Sequence, residues 1–122
     1  MLLDSNIIIY AAQFAYPQIR QFIAENSPVV SAVSYVEVLG FHRLVEAEKV
    51  LLEAFFAATI MLPLTQPVLD RAVLLRQQRR MSLGDALVAS TALAYEHTLV
   101  THNVSDFAWI DGLNVFDPLA HS

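Results

Sequence analysis

Met1-Leu2-Leu3-Asp4-Ser5-Asn6-Ile7-Ile8-Ile9-Tyr10-Ala11-Ala12 opens the chain, and the reading of this stretch decides the fold. Leu2 and Leu3 form an apolar run too brief for a helix, and it stops at an acid. The apolar residues from Ile7 to Ala12 suit a helix over about 6–12. A strand therefore passes straight into a helix with an ionisable side chain at the join. A carboxylate in that position is costly to bury unless it is hydrogen-bonded, paired or bound to metal, although Asp4 is also able to cap the helix after it.

The same alternation continues along the chain. Pro17 starts a helix with Ile19, Phe22 and Ile23 on one face, and Pro28-Val29-Val30-Ser31 reads as a second strand. A helix is expected to begin at Ser34, pause near Gly40 and continue through Leu44, Leu52 and Phe56. Ile60-Met61-Leu62 is a third strand, closed by Pro63. Thr65 suits the cap of a helix over 66–80, with Pro67 tolerated in its first turn. Ser82 caps another helix, in which Ala86, Ala89, Ser90 and Ala94 permit close packing. Strands over 98–101 and 114–116 complete the set, the latter after an Asp111-Gly112 turn. Strands that alternate with helices imply an α/β fold, a three-layer α/β/α sandwich with a mostly parallel central sheet. Ligands in such sheets bind beyond the carboxyl ends of the strands.

The bulk numbers narrow the function classes. The 122 residues are read as one domain over 1–122, with 56% hydrophobic and 16% charged residues, a balance that excludes disorder. Cysteine is absent, which rules out disulfides and thiolate metal sites. The long charge-free stretch over 54–69 is broken by Pro63 and Pro67, so no membrane span is expected, and the early apolar run has the wrong flanks for a secretory signal. A cytoplasmic protein is the expectation. The net charge of −5 argues against a broad basic nucleic-acid surface. Four of the seven basic residues nevertheless fall together, at Arg71, Arg76, Arg79 and Arg80. They form either a solvated helix face or a local stripe for a phosphate backbone.

Four acids sit at junctions of this pattern: Asp4, Glu37, Asp85 and Asp106. If the fold gathers them at one edge of the sheet, they make a hard-oxygen pocket suited to Mg²⁺ or Mn²⁺. Each also has a plain structural reading. Ser34-x-x-Glu37 matches a capping box, Ser82-x-x-Asp85 is a shorter version of it, and Asp106 suits a turn. Expected placements put Glu37 and Asp85 in first turns of helices. The remaining acids fall on polar helix faces or in turns, and His42, His97, His102 and His121 show no zinc spacing. The apolar residues over 41–56 are read as ordinary core in preference to a docking face.

Taken together, Leu3-Asp4-Ser5-Asn6, Ser31-x-x-Ser34-x-x-Glu37, Ser82-Leu83-Gly84-Asp85-Ala86-Leu87-Val88-Ala89 and Leu99-Val100-Thr101-His102-Asn103-Val104-Ser105-Asp106-Phe107 resemble the PIN-domain ribonucleases, and within them the VapC-like toxins of type II toxin–antitoxin systems. The resemblance spans nearly the whole chain in the family's order. It implies a small α/β/α homodimer that cleaves RNA with Mg²⁺ or Mn²⁺ and is neutralised by a cognate VapB-like antitoxin. Asp4, Glu37, Asp85 and Asp106 would be its catalytic and metal-binding acids, Asn6 would steady the first of them, and Thr101 and Asn103 would be polar neighbours. Part of the family carries an acid where this chain has Asn103, so Asn103 and Asp106 compete for the place nearer the metal. His102 stands where a basic residue is frequent.

With no cysteine nucleophile and no serine–histidine–aspartate spacing, the simplest attacking group is a water activated by the cation. Two other readings fit parts of the sequence. One is a catalytically silent PIN-like binding or regulatory subunit. The other is a receiver-like phosphoacceptor domain, which would need an acid on the middle strand, where Ile60-Met61-Leu62 has none.

Overall fold

A computed structural model describes residues 1–120, so His121 lies outside the described residues. Strand β1 (Leu2–Leu3) leads into helix α1 (Ser5–Ala11), followed by α2 (Pro17–Asn26), β2 (Val29–Ser31), α3 (Ala32–Leu39) and α4 (Glu46–Ala58). Then come β3 (Met61–Leu62), α5 (Gln66–Gln78), α6 (Leu83–Ala94), β4 (Leu99–Val100), α7 (Val104–Phe107) and β5 (Val115–Phe116). The strands pair in the order β3-β2-β1-β4-β5 and every pairing is parallel.

Side-chain alternation along the strands divides the interior into two layers. Leu3, Val30 and Val100 face one side, where they meet Ile7 and Ile8 of α1, Ile19 of α2, Val38 of α3, and Leu52 and Phe56 of α4. Leu2 and Leu99 face the other side, against Leu75 of α5, Val88, Ala89 and Ala92 of α6, and Phe107 of α7. The small residues of α6 let that helix lie close to the sheet, and Ala86, Ala89 and Ala92 are fully buried. This is the three-layer α/β/α sandwich expected from the alternation. No helix is long and apolar enough to cross a membrane among the described residues.

The strand order places a topological switch at the centre. From β1 the chain moves one way to β2 and β3, and later returns on the other side to β4 and β5. Crevices open at such points beyond the carboxyl ends of the two central strands. Asp4 follows β1 there and Thr101 follows β4, with the Asp4 N–H donating to the Val100 carbonyl at 2.8 Å.

Two expectations are corrected. Helix α3 starts at Ala32, two residues before the expected start, because Ser31 leaves β2 in extended geometry and its hydroxyl accepts from the Val33 N–H at 3.3 Å. Ser34 is consequently a buried residue within the helix, so Ser34-x-x-Glu37 is not a capping box and Glu37 lies in the second turn. The apolar segment over 41–56 is also split, since α4 buries Leu52 and Phe56 but exposes Val50 and Leu51. Helix α7, a single turn around Asp106, had no periodic signal to announce it.

Candidate active site

Asp4 is the most constrained acid. Its residue is only 5% exposed, which matters because a carboxylate at that depth must be held by donors or counter-charge. Oδ1 accepts from the Ser5 N–H at 2.8 Å, which caps α1. Oδ2 accepts from the Thr101 hydroxyl at 2.7 Å. The Thr101 oxygen in turn accepts from the Asn103 N–H at 3.0 Å, so the ends of β1 and β4 are stitched together through this acid. Burial raises its pKa from an ordinary 3.8 to about 6, against the lowering effect of Thr101 and Ser5 and helped by the nearby charges of Asp85 and Glu37.

Glu37 reaches the same crevice from α3 and is itself exposed. Its Oε1 accepts from the Ser5 hydroxyl at 2.7 Å. That hydroxyl has one proton, so the buried Ser34 hydroxyl, 2.9 Å from Ser5 Oγ, must donate to it. Asp85 sits in the first turn of α6, where its N–H donates to the Ser82 hydroxyl at 3.1 Å. Its pKa is raised, first by burial, then by the charge of Asp106, with Glu37 adding to the effect and Ser82 opposing it. Asp106 stands in α7.

The four acids are thus electrostatic neighbours in sequence around the crevice. Asp4 senses Asp85 and Glu37, and Asp85 senses Glu37 and Asp106. Their side chains are not drawn into a closed cage: among the described residues no three acids or histidines stand close enough to form a ready-made metal site. Carboxylates repel one another well before they can share a cation, since charge repulsion reaches about 10 Å whereas a coordination sphere is about 2 Å in radius. The donor set fits a hard divalent cation, being all carboxylate oxygen with one acid buried and lacking a counter-charge. The sole ion pair among the described residues, His102 Nδ1 with Asp117 Oδ2 at 3.0 Å, involves none of the four.

The supporting polar residues divide. Thr101 touches Asp4 directly. Asn6 makes no hydrogen bond to it, and its buried Oδ1 meets no donor among the described residues. Asn103 precedes α7 without a side-chain cap bond. Between Asn103 and Asp106, it is Asp106 whose charge acts on Asp85. Sequence reading gave no role to Ser5 or Gly84, and read Ser34 only as a helix cap. The signal for Gly84 was its place beside Asp85: a Cβ there would collide with the Glu37 carboxylate, whose Cδ would lie 2.8 Å away.

Gly84→Ala is therefore expected to separate stability from activity. Alanine suits a helix better than glycine by up to about 1 kcal/mol, and the atoms it meets are the far end of a movable side chain. Thermal unfolding should show no loss of stability, whereas Glu37 must leave Ser5 and any turnover that depends on its carboxylate should fall roughly tenfold.

The sequence profile of the PIN domain matches residues 1–113. The chain belongs to the PIN-domain family. PIN domains are nucleases, which displaces the receiver-like reading. Among solved structures, a chain of the toxin–antitoxin complex from Klebsiella pneumoniae is 26% identical, with a TM-score of 0.76 and 96% of each chain covered. The same identity, coverage and TM-score relate the chain to VapBC-1 from nontypeable Haemophilus influenzae. DNA-bound VapBC from Salmonella typhimurium shares the PIN fold more closely, with a TM-score of 0.82 over 96% of each chain at 20% identity. No curated protein matches the chain in sequence.

Proposed function

We propose that this PIN domain is a Mg²⁺- or Mn²⁺-dependent endoribonuclease and the toxin of a type II toxin–antitoxin module. The observation that carries the reading is Asp4: a buried acid with its pKa raised to about 6, at the switch point of the sheet, beside two further carboxylates. Asp4, Glu37, Asp85 and Asp106 hold the cation, with Asp4 and Asp85 as its principal ligands. Thr101 positions Asp4, and Ser5 with Ser34 positions Glu37. When bound, the cation supplies Lewis acidity at the phosphate and lowers the pKa of the attacking water.

The chain's own residues do the rest. The two bonds to Asp4 leave its carboxylate in one orientation, so little reorganisation is needed on binding. Glu37 keeps Oε2 free of side-chain hydrogen bonds among the described residues while Oε1 is tied to Ser5. Attack by water on phosphorus leaves a 5′-phosphate and a 3′-hydroxyl. The exposed Arg79 and Arg80 line a pocket with Asp85 and Asp106, where they meet the phosphate backbone despite the acidic net charge.

A cytoplasmic homodimer neutralised by a VapB-like antitoxin completes the proposal, supported by the toxin–antitoxin and VapBC complexes at 26% identity. Residues 1–122 act as one nuclease domain. A silent binding subunit could use Asp4 as a helix cap, but would have no need to keep the charges of Asp85 and Glu37 near it. Incubation of the purified protein with RNA in chelator and in Mg²⁺ tests the reading. Cleavage only with Mg²⁺, leaving 5′-phosphate ends, is expected; equal cleavage in chelator, or none in either, would refute it.

A further inference from the structure

We propose that the Arg79 guanidinium, carried on the Trp109 ring beside Asp85 and Asp106, is a stacking platform for one unpaired nucleobase adjoining the scissile phosphate of single-stranded RNA. The proposal rests on the nuclease reading and adds to it the residues that hold a base beside the cut. A pocket of about 250 Å³ lies next to the acids, with Arg79, Arg80, Ser82, Asp85, Asp106 and Trp109 in its walls. Trp109 is fixed there by the acid's own turn, because its Nε1–H donates to the Asp106 carbonyl at 3.0 Å. Arg79 closes α5, where its N–H donates to the Leu75 carbonyl at 3.2 Å. Its Cζ lies 5.3 Å from the centre of the Trp109 ring.

The choice Arg79 makes is the informative point. It shares a pocket with two carboxylates yet forms no ion pair with either, and spends its guanidinium on the ring instead. The acids stay free for a cation, and the exposed Arg79 guanidinium, planar and cationic, is left in the wall of the same space. Guanidinium planes and aromatic rings are the two side-chain surfaces on which single-stranded bases stack, and every base offers the face required. A base inside a duplex is already stacked on both faces and cannot reach it. Arg80, in the wall of the same pocket, supplies charge for the neighbouring phosphate.

Trp109 is the only tryptophan in the chain, so its fluorescence reports this platform alone. In chelator, single-stranded RNA should change that fluorescence and the same RNA annealed to its complement should not. In Mg²⁺, once the cut site is mapped, an abasic ribose flanking it should lower kcat/KM on the order of tenfold. Arg79→Lys keeps the charge and loses the plane. It should show a similar loss on intact RNA, with no further loss on the abasic strand. Arg79 is exposed, so circular dichroism of the variant should match the wild type.

Wild-type behaviour of Arg79→Lys, or equal cleavage of abasic and intact strands, would overturn the platform. So would fluorescence indifferent to single-stranded RNA. Absence of any Mg²⁺-dependent cleavage would count against the nuclease reading, while the chelator measurement would still decide whether the platform binds a base.

Discussion

Asp4→Asn is expected to lose RNA cleavage by roughly 10³-fold and, in chelator at pH 7, to unfold at higher temperature than the wild type. The two effects have one cause. In the metal-free fold Asp4 is ionised against burial and against Asp85 and Glu37, and its pKa rises from 3.8 to about 6. Above pH 6 both folded and unfolded chains carry the charge, and the folded one bears the full penalty, up to about 3 kcal/mol. Between pH 6 and 3.8 the folded chain takes up the proton first, so its stability rises as pH falls. Below 3.8 both forms are neutral and the penalty is gone. Asparagine keeps an acceptor for this site without the charge, so the advantage of the variant should be present at pH 7 and vanish near pH 3.5. Thermal unfolding of both proteins across this range measures it. A variant less stable at pH 7 would mean that Asp4 is held chiefly for its hydrogen bonds.

Asp85→Asn should cost cleavage by roughly 10³-fold as well, while Asp106→Asn costs roughly tenfold. Asp85 is the link in the chain of charges, adjoining Asp4 and Glu37 on one side and Asp106 on the other. Its loss affects every carboxylate in the crevice. Asp106 is exposed and touches the set only through Asp85. Single-turnover cleavage at saturating RNA and Mg²⁺ separates the two. Equal losses would place Asp106 in direct contact with the cation.

The architecture was legible because each strand is a short apolar run bounded by an acid, a proline or a hydroxyl residue, and each but the last is followed by helical spacing. Leu2-Leu3-Asp4 carried both the strand and the first candidate acid. Local pattern misled at Ser34, where a matching Ser-x-x-Glu spacing had no cap to form because Ser31, the last residue of β2, had already taken that duty. The contacts that hold Glu37 were invisible for a different reason. Ser5, Ser34 and Gly84 come from three separate helices, and only the folded chain brings a hydroxyl and a missing Cβ to the same carboxylate. Arg79 and Trp109 are likewise 30 residues apart in sequence and meet only across the crevice. Sequence spacing could nominate the acids, but not say which of their neighbours would orient them.

The most direct measurement is an anomalous-scattering map from a crystal of the wild-type protein soaked in Mn²⁺. The account predicts a peak about 2 Å from carboxylate oxygens of both Asp4 and Asp85. A well-occupied Mn²⁺ elsewhere on the protein, with no density between those two side chains, would contradict it.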